Sequence, residues 1–152
     1  MKHDARLSAT LHTLLHMADA GRPMTSAELA SHMGTNPVVV RRTMAGLRRQ
    51  GLVRSGRGRG GGWEIACDLN TVTLKQVYDA LGAPTLLSIG VRIDRPSCLV
   101  EQAVNSALRP AFAEAEARLI ERLGEVTLAQ LAADFTLRAA AHRAHHKDHS
   151  HV

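Results

Sequence analysis

The stretch from Asn36 to Trp63, NPVVVRRTMAGLRRQGLVRSGRGRGGGW, leaves the backbone few options. Asn36 and Pro37 open a helix, one as N-cap and the other in the first turn, where a missing N–H costs least. Val40, Thr43, Met44 and Leu47 recur along one face of that helix, and Gly51 stops it. Leu52–Ser55 and Trp63–Ala66 then read as two short strands around the loop Gly56–Gly62. Seven arginines lie in the stretch (Arg41, Arg42, Arg48, Arg49, Arg54, Arg57 and Arg59), with no acidic residue among them until Glu64. Such a surface suits a polyanion better than a small molecule.

The upstream sequence turns this segment into a recognisable unit. Leu7, Leu11, Leu14, Leu15 and Ala18 share a face, predicting a helix over residues 5–20 ended by Gly21 and Pro23. Thr25-Ser26-Ala27-Glu28 is a capping box, so a second helix runs to Met33 and closes at Gly34. Two helices joined by a short turn containing glycine form a helix-turn-helix, and the hairpin behind them is a wing.

Downstream, Thr73 and Gln76 make a second capping box, starting a short helix that ends at Gly82. Residues 83–96 show no clear period and read as a connecting loop. A long helix follows from Ser97 to about Leu123, with Leu99, Ala103, Leu108, Phe112, Ala115, Leu119 and Leu123 apolar, a kink at Pro110 and a stop at Gly124. Thr127 and Gln130 then cap a last helix that fades into HRAHHKDHSHV. The expected fold is mainly α with a small β-wing. A winged helix-turn-helix domain covers residues 1–82, a helical dimerisation region 97–146, and a disordered His-containing tail 147–152. A helix this long on so small a domain needs a partner, and a symmetric dimer is the commonest solution.

Charge separates the two halves. Residues 1–62 hold ten Lys/Arg and three Asp/Glu, a net +7, whereas residues 63–152 hold nine and eleven, a net −2. The polyanion surface therefore belongs to the N-terminal half. Two cysteines make no disulfide framework, the N-terminus lacks a signal-peptide pattern, and no run approaches the ~18 apolar residues of a membrane span. These features predict a cytoplasmic chain with no membrane partner. No Ser-His-Asp grouping, H-E-x-x-H or paired carboxylate set stands out, so no enzyme is expected. Gly56–Gly61 fits G-x-G-x-x-G, but a strand follows it instead of the helix a pyrophosphate requires.

The blocks RLSATLHTLLHMA, TSAELASHMGTNPVVVRRTMAGLRRQGLV and GRGRGGGWEIACDLNTVTLKQVYDAL resemble the bacterial Rrf-type transcriptional regulators. The likeness extends through a cysteine at the head of a long helix to the late TLAQL. It implies a homodimer with a winged helix-turn-helix at each end, binding a roughly palindromic double-stranded operator, mostly as a repressor.

Within such a unit, side chains near the N-terminus of the third helix reach base edges. Asn36, Val38, Val39, Arg41 and Arg42 hold that end: arginine can pair with guanine, asparagine with adenine, and valine methyls can meet thymine. Arg48, Arg49 and Arg54 fall where phosphates are expected. Arg57 and Arg59, with Gly60 and Gly61, form a wing tip for the minor groove. Ser26 and Pro37, each at a helix start, complete the candidate DNA-binding set. The best-known cluster-binding relatives carry an acidic residue where Arg41 stands, so their operator does not transfer.

Relatives that hold an iron–sulfur cluster mostly use three cysteines near the start of the long helix. Only Cys98 lies there, with Arg92 and Val104 six residues to either side, and Cys67 falls beside the wing. No cofactor is therefore expected. With Ser97 as N-cap, Cys98 would sit in the first turn of the long helix, where the thiolate is favoured. It is either a redox sensor or a small buried hydrophobe. His142, His145, His146 and His149 follow i, i+3, i+4 and i+7, a candidate face for zinc, nickel or copper, or else a solvated tail. The expected function is a homodimeric, sequence-specific repressor relieved by a small-molecule or redox signal. The alternative is a metal-handling or structural interaction protein that uses this His-rich tail.

Overall fold

The computed structural model describes residues 5–86 and 98–148, with the backbone alone at 139 and 141–148. Its elements are α1 (Arg6–Ala20), α2 (Ser26–Met33), α3 (Pro37–Arg49), β1 (Val53–Ser55), β2 (Trp63–Ile65), α4 (Leu74–Ala80), α5 (Leu99–Glu125) and α6 (Leu128–Asp148). Fold class and element order agree with the sequence reading. Most of the connecting loop, Ser97 and His149 lie outside the described residues.

The caps form as the sequence spacing predicts. The Thr25 N–H donates to Glu28 Oε2 at 2.7 Å, and the Glu28 N–H donates back to Thr25 Oγ1 at 3.2 Å. Arg22 Nη2 also reaches Glu28 Oε1 at 2.9 Å. The backbone N–H of Thr25, then Arg22 and the Thr25 hydroxyl, hold the Glu28 carboxyl down at about 2, against an ordinary 4.5. A carboxyl depressed on folding contributes stability that is fully present above its unfolded value and is lost as pH falls towards the folded one. Thermal melts of the wild type and Glu28→Gln should therefore differ at pH 6, and the gap should narrow between about 4.5 and about 2. A gap constant with pH would contradict this.

The core gathers Leu14 and Met17 of α1, Leu29 and Ala30 of α2, and Val40, Met44 and Leu47 of α3, with Leu52, Val53, Val72 and Val77. On α1 the buried positions are Thr10, Thr13, Leu14 and Met17, so the inward face is rotated from the predicted one and Leu15 falls beside it. Thr13 is tolerated there because its hydroxyl donates to the Ala9 carbonyl at 2.8 Å. On α3 the buried set includes Gly46: a Cβ there would lie 2.6 Å from the Ala80 carbonyl oxygen, so only glycine lets α3 and α4 approach this closely.

The C-terminal half is tied in part to the N-terminal core. Helix α5 begins at Leu99 with Cys98 as its N-cap, passes through Pro110 within one helical span, and includes Gly124. Thr73 and Thr127 form an antiparallel bridge, flanked by Leu74 N–H to Val126 O and Leu128 N–H to Val72 O, each 2.9 Å. This delivers Leu128 into the N-terminal core, where it is 1% exposed. The third capping box is present, with Thr127 N–H donating to Gln130 Oε1 and the Gln130 N–H to Thr127 Oγ1. No α5 residue is buried, and Leu99, Val100, Val104, Leu108 and Leu119 are exposed. No helix among the described residues is long and apolar enough to cross a membrane.

Candidate nucleic-acid interface

Helix α3 separates its residues into two faces. Val40, Met44 and Leu47 are buried, while Val38, Arg41, Arg42, Arg48 and Arg49 face solvent. An exposed valine at the start of a helix, 59% accessible for Val38, gives no packing energy to this chain. It is available to an outside surface. Val39, Arg41 and Arg42 share the N-terminal half with it, as the base-reading hypothesis requires.

Asn36 fills the N-cap role that the sequence predicts for it, beside the base contact also expected of it. Its Oδ1 accepts from the Val38 and Val39 N–H groups at 3.0 and 3.1 Å. Bidentate pairing with adenine needs that same oxygen, so the cap and the base contact compete. Pro37 occupies the first helical position behind it, where it fixes the helix start.

The wing pairs β1 and β2 antiparallel, with Val53 opposite Ile65, Arg54 opposite Glu64 and Ser55 opposite Trp63. That register explains where Arg54 goes: its Nε donates to Glu64 Oε1 at 2.7 Å, so this arginine is shared with a carboxylate. Arg48 Nη1 reaches Ser55 Oγ at 3.4 Å, laying the end of α3 along the wing. The loop closes through Gly56 N–H to Gly62 O and Gly61 N–H to Gly58 O, with Gly58 and Gly60 at positive φ. Arg57 and Arg59 project from the exposed tip. Among the described residues, no acidic group forms an ion pair with Arg41, Arg42, Arg49, Arg57 or Arg59. An exposed cationic ridge of this kind attracts phosphate and sacrifices little by being covered with it.

Two contacts fix the wing to the helices. Met24 and Trp63 exchange backbone hydrogen bonds of 2.9 and 2.8 Å, extending the hairpin by a third short rung. The indole Nε1–H of Trp63 donates to Ser26 Oγ at 3.1 Å. Ser26 therefore anchors the wing on α2 through its oxygen.

Cys67 packs against the core, and burial pushes its thiol pKa up. Cys98 is half-buried at the start of α5 and makes no side-chain cap hydrogen bond. Of the tail histidines, His142, His145 and His146 fall within the α6 backbone span. Among the described side chains, three other histidines come together. His12 and His16 of α1 and His32 of α2 bring their ring nitrogens within 4.8 Å of one another. Burial, then the nearby His32 and His12, lowers His16 below its usual value. The i, i+4 spacing of His12 and His16 is visible in the sequence, but the approach of His32 is set by tertiary packing.

The Rrf2 family model, described as an iron-dependent transcriptional regulator, matches residues 3–134. Among solved structures, a Lactobacillus plantarum protein assigned as a transcriptional regulator has a TM-score of 0.68 at 22% identity, covering 95% of this chain and 98% of its own. IscR from T. potens scores 0.61 at 20% identity, with 88% of each chain covered. CymR, the global cysteine regulator of B. subtilis, scores 0.57 at 19% identity, covering 88% of this chain and 97% of its own. These likenesses are to the fold. No curated protein sequence matches the chain.

Two cysteines cannot supply a three-thiolate cluster site within one chain. Such clusters are held mainly by several thiolates. This chain has two cysteines, Cys67 beside the wing and Cys98 capping α5. The three-donor group among the described residues contains neither.

Proposed function

The chain belongs to the Rrf2 family of transcriptional regulators, and from that premise we propose that it is a cytoplasmic homodimeric repressor of a double-stranded operator. The observation that carries this reading is the cationic face built from the exposed N-terminal half of α3 and the wing tip, which lacks acidic partners among the described residues. In this reading Val38, Val39, Arg41 and Arg42 meet base edges, Arg48 and Arg49 meet phosphates, and Arg57 and Arg59 enter the neighbouring minor groove. Gly60 and Gly61 let the wing backbone come close. Ser26, Asn36 and Pro37 set the helix starts and the wing position, and Arg54 divides its charge between Glu64 and phosphate.

Helix α5 supports the dimer. It carries exposed Leu99 and Val100, at 77% and 73%, with Val104, Leu108 and Leu119 further along. A second copy would cover this surface and set two recognition helices at a fixed spacing, matching a two-fold operator. A small-molecule or redox signal at that interface would release DNA by altering the spacing. Cys98, at the head of the same helix, is the candidate redox group.

Selection of bound sequences from random duplex DNA, followed by salt titration, tests the function. One recovered site should bind at least ~10³-fold tighter than unrelated DNA. The double change Arg57→Ala/Arg59→Ala removes four arginines from a dimer, so it should weaken binding to all sequences and flatten log K against log salt by about 3–4, at ~0.9 for each phosphate no longer neutralised. Equal affinity for every duplex, or a salt slope unchanged by the double substitution, would count against the assignment. For the sensor, peroxide should reduce operator binding by the wild type and leave Cys98→Ser unaffected. Equal responses would remove Cys98 from that role.

A further inference from the structure

We propose that His12, His16 and His32 form a binding site for one divalent transition-metal ion, held by three imidazoles and clamping α1 to the C-terminal end of α2. The donors come from two helices. His12 and His16 are one turn apart on α1, so their side chains leave the same face. His32 lies in the last turn of α2, immediately before the turn that leads to α3. The ring centroids of His16 and His32 are 4.2 Å apart, those of His12 and His16 are 4.6 Å, and those of His12 and His32 are 6.2 Å.

Three features favour a metal over a fortuitous stack of rings. The donor atoms all lie within 4.8 Å of one another. Nitrogens around a tetrahedral ion at ~2.0–2.1 Å would be about 3.3 Å apart, so rotation of side chains closes the remaining gap. None of the three is buried, so the rings can rotate and an ion can enter from solvent. Phe135 of α6 stands edge-on to His16 at 6.1 Å and forms an apolar wall on one side. Three neutral imidazoles with a fourth position left to water suit the borderline ions Fe²⁺, Co²⁺, Ni²⁺ and Zn²⁺ over Mg²⁺ or Ca²⁺, which prefer oxygen.

The test of this site needs no DNA. The full chain is titrated with Co²⁺, whose d–d absorption intensifies on four-coordinate binding, and Zn²⁺, Ni²⁺ and Fe²⁺ are then competed against it to rank the ions. Because the tail is also rich in histidine, a full-length control carries glutamine at His142, His145, His146, His149 and His151. The wild type and this control should each show one four-coordinate Co²⁺ per chain. His12→Gln and His32→Gln, checked for unchanged circular dichroism, should each weaken it about 100-fold or more, at or beyond the ~10–100-fold typical when a group that merely supports a ligand is removed. The proposal fails if the wild type shows no four-coordinate Co²⁺. It fails equally if the signal survives both single substitutions, or if it vanishes in the tail control.

Discussion

Replacing Gly62 with alanine is expected to destabilise the chain by roughly 2–4 kcal/mol and to misplace the wing, although the change adds a single methyl group. A Cβ at Gly62 would lie 2.6 Å from the Met24 carbonyl oxygen and 2.8 Å from its carbon. Both are backbone atoms that cannot swing aside. The Met24–Trp63 bridge would have to open, giving up two backbone hydrogen bonds and loosening the indole from Ser26. Gly56→Ala is the matched control. Its Cβ would come no closer than 3.5 Å to a neighbouring atom, the Gly61 Cα, with Gly62 N at 3.8 Å, all ordinary contacts, so a change within about 0.5 kcal/mol is expected. Denaturant unfolding of both variants checks the contrast, and equal destabilisation would mean that the bridge is not what holds the wing.

For Arg41→Ala the expected result is a loss of operator affinity of about 30-fold or more, since about 1–3 kcal/mol for one good base contact is lost in each of the two half-sites. The loss should be accompanied by relaxed preference at one operator position in each half-site. Arg41 is exposed on the N-terminal half of α3 and forms no ion pair among the described residues, so its removal should leave the fold intact. The pattern across sequences separates its role from that of the wing. Removing a base-reading arginine weakens the best site most and random DNA little, whereas removing a phosphate-binding one weakens all sites evenly. A uniform loss for Arg41→Ala, with base preference unchanged, would move it to the phosphate group.

Features set by local spacing were legible in the sequence. Three capping boxes, the proline at the start of α3 and the hairpin around its glycines depend on residues a few positions apart, and each is found where spacing placed it. The cationic face was legible for the same reason, since arginines on an amphipathic helix have one direction left to face. Contacts between distant residues were not. Nothing near Ser26 indicates that its hydroxyl will receive the Trp63 indole, and nothing near Leu128 indicates that it will fill a core made of α1 to α4. Asn36 and Arg54 show a subtler limit. Each has the right chemistry for DNA, but the fold gives it a neighbour that competes for the same atoms, the α3 backbone in one case and Glu64 in the other.

The Thr73–Thr127 bridge also bears on the order of events during synthesis. Domains tend to fold as their residues emerge, N-terminal parts first. Here the head cannot seal its core until Leu128 has been made and has looped back to Val72, long after the wing and α4 are available. A growing chain that already displays its arginines would thus lack the residue that locks them in place. If the proposed function holds, competence to grip a polyanion specifically would arrive late, close to the moment when α5 is complete.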